Sequence, residues 1–125
     1  MLSKNAVQAE YMAALREGTF SLLHCMRCSL PHFYPRAVCP FCASRELRWV
    51  PASGLGTVYS TTVVRSRAAM RNIALIDLDE GPRMMSRVEE IEPEHVAIGM
   101  RVTAFIIDDG GTPLVIFTPG IGGSR

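Results

Sequence analysis

Lysine is almost missing from this 125-residue chain. Lys4 stands alone beside twelve arginines, so the basic side is built from planar, permanently charged groups suited to bidentate contacts with carboxylate or phosphate. Excess charge is missing too. A formal net charge of +1 argues against a general polyanion binder, because phosphate-driven affinity needs a net basic footprint. Long apolar runs are absent. The longest uncharged stretch, Trp49 to Val64, is broken up by Gly, Ser and Thr and does not read as a bilayer span. Residues 1–20 are interrupted by Glu10, Arg16 and Glu17 and show no signal-peptide core. A soluble, cytoplasmic protein without a membrane segment is expected. Catalytic constellations are lacking as well. No G-x-S-x-G elbow occurs, and Gly54-Leu55-Gly56 precedes a strand rather than following one as a phosphate loop would. Asp108 and Asp109 sit in a turn. Glu89, Glu90, Glu92 and Glu94 read as a solvated charge run, and His95 as structural. The chain is expected not to be an enzyme on its own. Its hydrophobic content of 48% still suffices for a folded core.

What is present is concentrated. All four cysteines fall between positions 25 and 42, as Cys25-x2-Cys28, ten residues, then Cys39-x2-Cys42. A C-x2-C turn points two thiolates at one centre, and two such knuckles facing one another complete a tetrahedron around a metal. Disulfides fit poorly with a reducing compartment. A redox pair needs a single C-x2-C in a βαβ setting. The metal is expected to be structural, since four thiolates leave no open position for water. Zinc is expected, and iron would use the same geometry. His24 and His32 flank the knuckles and read as exposed or as supporting groups outside the coordination sphere.

Along the chain, residues 5–17 read as a helix. Asn5 is the cap and Gly18 the exit, and Val7, Tyr11, Ala14 and Leu15 share a face that packs either on the protein's own body or on a partner. Pro51 to Gly56 is a joint. Beyond it the apolar period becomes two: strands are expected at Thr57–Val64, Asn72–Asp79, Arg83–Glu89, Met100–Ile107 and Leu114–Thr118. A single helical turn starts at Pro93, and Asp108-Asp109-Gly110-Gly111 forms a hairpin turn. Five strands with a short helix between the third and fourth follow the order of an OB barrel. The fold class is therefore mostly β: a short N-terminal helix (1–20), a rubredoxin-like zinc ribbon (21–49), and a five-stranded OB-fold barrel (50–125). Arg65 to Arg71 is the most basic segment and is expected as the loop between the first two barrel strands. It reads as either a solubilising loop or a ligand-contacting one.

Several motifs in this order resemble one family: Phe20 to Cys28 (FSLLHCMRC), Tyr34-Pro35-Arg36, Cys39-Pro40-Phe41-Cys42, Ser53 to Ser60 (SGLGTVYS), Ile73 to Pro82 (IALIDLDEGP) and Ile98 to Val102. The chain is similar to the acyl-CoA-associated zinc-ribbon OB-fold proteins, and the likeness spans nearly its whole length. The resemblance implies an accessory subunit of a thiolase-superfamily complex (a thiolase, an aldolase on acyl-CoA side chains, or an acyltransferase), with the partner supplying the chemistry and this chain assisting assembly and acyl-group handling. Candidate partner-binding residues are Phe33, Tyr34 and Phe41, joined by Trp49, which crowd the metal loop of a module too small to bury them all. Candidate acyl-CoA or phosphate contacts are Arg65, Arg67 and Arg71, although this segment looks shorter than in many relatives. The competing reading is a nucleic-acid-binding module. It is weakened because the barrel offers only Tyr59, Phe105 and Phe117 for stacking and because acidic residues offset its arginines.

Overall fold

The computed structural model describes residues 4–32, 36 and 38–120. Helix α1 runs Lys4–Arg16. Its stop is the one the glycine dictates: Gly18 takes φ +90°, Thr19 N–H reaches back to Ala14 C=O at 2.9 Å and Gly18 N–H to Leu15 C=O at 2.9 Å, a closure that a residue with a Cβ resists. The side chain of the expected cap, Asn5, lies outside the described atoms. Val7, Tyr11 and Leu15 are buried, while Ala14 is only half-buried. Tyr11 and Leu15 join the main hydrophobic core, so this face packs on the protein's own body.

The ribbon is a three-stranded antiparallel sheet in the order β2-β1-β3, from β1 (Ser21–Cys25), β2 (Pro31–His32) and β3 (Leu47–Pro51). Strands β1 and β3 are in register from Ser21↔Pro51 to Cys25↔Leu47. Trp49 faces the body of the protein. It stacks on Tyr11 with ring centroids 6.3 Å apart and packs against the common core, because β3 turns it toward the helix.

The second sheet has the order β6-β5-β4-β7-β8, from β4 (Leu55–Arg65), β5 (Met70–Leu78), β6 (Arg83–Ser86), β7 (Arg101–Asp109) and β8 (Thr112–Pro119). A short 3-10 turn, Pro93–His95 with proline in its first positions, separates β6 from β7. A parallel bridge between Val88 and Phe117 brings the sheet round into a nearly closed OB-type barrel. Alternation decides what faces inward: Ala74, Ile76 and Leu78 on β5 are buried, and Ile73 points out. Gly56 is needed where β4 crosses β5, since a Cβ there would lie 2.7 Å from Ile76 Cγ2 and 3.0 Å from Asp77 O. The register of β4 on β5 slips between Val58 and Ser60, a bulge at Tyr59 that bends the long strand around the barrel.

Three expectations shift at their edges. The third barrel strand ends at Ser86 rather than Glu89. Beyond it, buried Asn72 replaces the ladder: its Nδ2 donates to Val88 O at 2.7 Å and its Oδ1 accepts from Val88 N–H at 2.9 Å. The expected loop Arg65–Arg71 is shorter than it reads: Arg65 ends β4, Met70 and Arg71 open β5, and only Ser66–Ala69 turns, closed by Ser66 N–H to Ala69 O at 3.0 Å. In the β7–β8 hairpin, Asp108 and Asp109 belong to β7, and Gly110 (φ +62°) and Gly111 (φ +93°) make the turn alone. Two positive φ values match the twist of the strands, and Asp108 Oδ1 accepts from Gly111 N–H at 2.8 Å.

One core joins the parts. Tyr11 and Leu15 of the helix and Phe20 and Leu22 at the ribbon's base lie in a single buried cluster with Val58, Ile76, Val102 and Phe117 of the barrel.

Candidate metal centre

The four cysteines converge at the tip of the ribbon. One sulfur from each lies within 4.8 Å of all the others, with Cys25 Sγ to Cys42 Sγ at 3.5 Å and Cys28 Sγ to Cys39 Sγ at 3.7 Å. These separations are far beyond a disulfide bond, and all four cysteines are free. A tetrahedral ion with metal–sulfur bonds of about 2.3 Å has sulfur–sulfur edges of about 3.8 Å, so the donor set fits such an ion in number, chemistry and spacing.

The two knuckles share one local design. In the first, Arg27 and Cys28 N–H both point at Cys25 Sγ at 3.4 Å, and Ser29 N–H closes on Cys25 O at 3.0 Å. In the second, Phe41 N–H points at Cys39 Sγ at 3.4 Å, and Ala43 N–H closes on Cys39 O at 2.9 Å. Each knuckle ends on a left-handed residue directly after its second cysteine, Ser29 (φ 64°) and Ala43 (φ 63°). Neither is glycine, so the sequence hides both positions, and each carries the cost of a Cβ in that region. Cys39 N–H to Ser44 O at 2.8 Å closes the base of the second knuckle, and Met26 N–H to Glu46 O at 2.7 Å ties the first knuckle to the segment that follows the second. Buried Ser44 accepts from Glu46 N–H through its hydroxyl at 3.0 Å.

The electrostatics call for a cation. The backbone N–H of Cys28, helped by that of Arg27, outweighs burial and holds the Cys25 thiol down to about 6. At Cys28 the Leu30 N–H pulls downward, but burial and the neighbouring sulfurs of Cys25, Cys39 and Cys42 override it and push the thiol up to about 12. Cys42 is also raised, burial and Cys25 prevailing over the Ser44 N–H. Sulfurs this close cannot all ionise against one another, and a divalent ion is what makes four thiolates compatible.

The other sequence candidates are dispersed. Phe41 is 60% exposed, one residue from a ligand, and Met26 and Leu30 are exposed on the same metal loops. Neither Met26 nor Leu30 stood out in the sequence. Phe33 and Tyr34 lie outside the described residues. His24 is half-buried on β1. His32 is buried on β2 with both ring nitrogens lacking hydrogen-bond partners among the described residues; burial, with the charges of Arg36 and His24, lowers its pKa. The arginines do not form one cluster. Arg65 pairs with Glu94 at 3.3 Å, Arg67 is exposed on the hairpin turn, and Arg71 borders a groove at the barrel seam. The stacking surface required for single strands is also poor. Phe117 is fully buried, and one face of Tyr59 is covered by the Arg83 guanidinium, 3.4 Å from the ring centroid, which Asp77 holds at 2.6 Å.

A four-cysteine ribbon sharing a core with a barrel of this strand order defines a class: a rubredoxin-like ribbon fused to an OB fold. Family models agree with both halves, the ChsH2 rubredoxin-like zinc ribbon domain over residues 12–48 and the ChsH2 C-terminal OB-fold domain over residues 49–105. A DUF35 domain-containing scaffold protein of Methanocaldococcus jannaschii is 32% identical over 105 residues, covering 76% of this chain and 74% of that protein. The chain belongs to this DUF35 scaffold family. The 3-oxo-4,17-pregnadiene-20-carboxyl-CoA hydratase alpha subunit of Mycobacterium tuberculosis is 42% identical over 70 residues, which is 52% of this chain but only 22% of that protein. Most of that subunit therefore has no counterpart in the matched segment. Among solved structures, an Ltp2–ChsH2(DUF35) aldolase chain superposes with a TM-score of 0.81 at 28% identity, over 95% of this chain and 98% of that one.

Proposed function

We propose that this chain is the non-catalytic scaffold subunit of a complex that acts on acyl-CoA substrates, its partner being a thiolase-superfamily enzyme that supplies the reacting groups. The observation that carries the reading is the near end-to-end likeness to the DUF35 chain of the Ltp2–ChsH2 aldolase. The closed metal centre is in keeping with it. Four thiolates fill a tetrahedral ion and leave no position for water or substrate, so the centre's work is to hold the ribbon's shape. The ion is zinc in this reading, and the all-thiolate, redox-silent role suits it. Four free cysteines suit the reducing cytoplasm, and no helix among the described residues is long and apolar enough to cross a membrane.

The ribbon, residues 21–49, carries the partner surface, with Phe33, Tyr34 and Phe41 as anchors. Phe41 supports this placement. A phenyl ring 60% exposed on a loop stiffened by its metal loses little entropy on docking and much water-exposed area. The test is co-purification of the tagged chain with its thiolase-superfamily partner, followed by titration of Phe33→Ala, Tyr34→Ala and Phe41→Ala variants. Metal content should stay at one ion per chain while partner affinity falls at least tenfold, about 1.4 kcal/mol. Unchanged affinity in all three variants would move the contact to the barrel. Robust acyl-CoA turnover by the isolated chain would refute the scaffold role.

A further inference from the structure

Where β5 and β6 part company, the Asn72 amide holds the chain after β6 to β5 in place of a backbone ladder. On the far side β8 arrives in parallel at a single bridge, Val88 with Phe117, whose backbone bonds run from Phe117 N–H to Arg87 O and from Glu89 N–H to Phe117 O, and Ser86 Oγ donates to Val115 O at 2.9 Å. This incomplete seam leaves a groove of about 240 Å³ between the three strands, bordered by Arg71, Ile73, Met85, Arg87, Leu114 and Ile116 among others. Strand alternation sets its character. Asn72 points inward, so Arg71 and Ile73 point out, and Met85 on β6 points out beside them. Ile73 and Met85 are 41% and 59% exposed. Large apolar side chains turned away from the core add little to folding and mark a surface that something else covers.

The charges bordering this groove are both positive. The Arg87 guanidinium is taken up by Glu89. None of the ion pairs among the described residues involves Arg71, so its charge is available at the end of an apolar trough. We infer that the seam groove binds a small amphiphilic anion, its short apolar chain lying on Ile73, Met85 and Leu114 and its carboxylate or phosphate head on Arg71. A guanidinium meets either head through paired N–H donors, and the apolar floor excludes a bare inorganic anion as the preferred ligand. The inference deepens the acyl-handling part of the role proposed above and rests on it.

The probes are octanoate, octyl phosphate and inorganic phosphate, titrated into the full metal-loaded chain by calorimetry and by the methyl resonance of 13C-labelled Met85. Saturable binding of octanoate, of octyl phosphate or of both, with a shift at Met85, is expected. Octanoate alone assigns the head to a carboxylate, and octyl phosphate alone assigns it to phosphate. Arg71→Ala should weaken binding at least tenfold, Arg71→Lys should restore part of it, and Ile73→Trp, which fills the trough from an exposed position, should abolish it. Inorganic phosphate binding as tightly as octyl phosphate, no Met85 shift with any probe, or affinity in the Arg71→Ala and Ile73→Trp variants equal to that of the wild type would overturn the groove. A chain that still forms the partner complex but binds no probe loses the groove while keeping its scaffold role.

Discussion

The ribbon and the barrel solve the same problem by different means. The barrel buries its apolar residues by strand packing, alternately on β5 and on both faces of β8, with Ile76, Val102, Ile116 and Phe117 inaccessible to solvent. The ribbon has a two-residue β2, leaves Met26, Leu30 and Phe41 in water, and strings its tip around four sulfurs. A module this small cannot repay its folding entropy by burial alone, and coordination substitutes for the missing core. The difference teaches where each half should fail. The ribbon should answer to metal and protons, the barrel to packing and backbone pairing.

The largest effect should come from the sulfurs. Cys39→Ser, or strong chelation, should release the ion and unfold the ribbon tip, because structural zinc contributes on the order of 10–16 kcal/mol of apparent binding energy in zinc-finger peptides. Elemental analysis should then show no bound metal, while amide resonances of β4 to β8 keep their dispersion. Loss of the barrel signals as well would erase the distinction between the halves. Next comes Asn72→Ala in the barrel. It leaves the buried N–H and C=O of Val88 without partners, at about 1–3 kcal/mol for each unsatisfied group. The expected loss is about 2–4 kcal/mol in thermal or denaturant unfolding, with metal content unchanged. Gly56→Ala should cost about 1–3 kcal/mol, since its Cβ would press on Ile76 and on the Asp77 carbonyl. The smallest effect concerns protons. His32 is buried, and its pKa in the fold is lowered, so the unfolded chain binds a proton that the folded one refuses. Stability therefore rises with pH through this site and is lost as pH falls below the unfolded histidine value of about 6.5. Thiolate protonation works in the same direction. A His32→Gln variant isolates the histidine share, and its ribbon should lose stability less steeply between neutral and mildly acid pH than the wild type.

How far each half was legible follows from how local its chemistry is. Metal-binding knuckles are written in adjacent residues, so Cys25, Cys28, Cys39 and Cys42 could be read directly. Alternation likewise displayed β4, β5, β7 and β8, and Gly110-Gly111 displayed its turn. The barrel itself was legible from its strand order, but the device that continues its third strand was not visible. Asn72 looks like a polar residue at a strand's start, and only the arrival of Val88 from sixteen positions away shows that its amide stands in for a strand. The contacts of Trp49 were hidden for a similar reason. Its neighbours in sequence are the metal loops, but its neighbours in space are Tyr11 and the core. The seven-residue basic segment shrank to a four-residue turn because β-branched Val63 and Val64 carry the strand to Arg65. The left-handed Ser29 and Ala43 leave no trace in residue type at all.

The stack of Tyr11 on Trp49 has an optical consequence. Trp49 is the chain's single tryptophan, and it sits where helix, ribbon and barrel meet. Its emission wavelength and quenching therefore report one event, the seating of the ribbon against the rest of the molecule, with no background from other indoles. Metal withdrawal followed by fluorescence can separate a ribbon that merely loosens at its tip, leaving the indole shielded, from one that lifts off its base and exposes it.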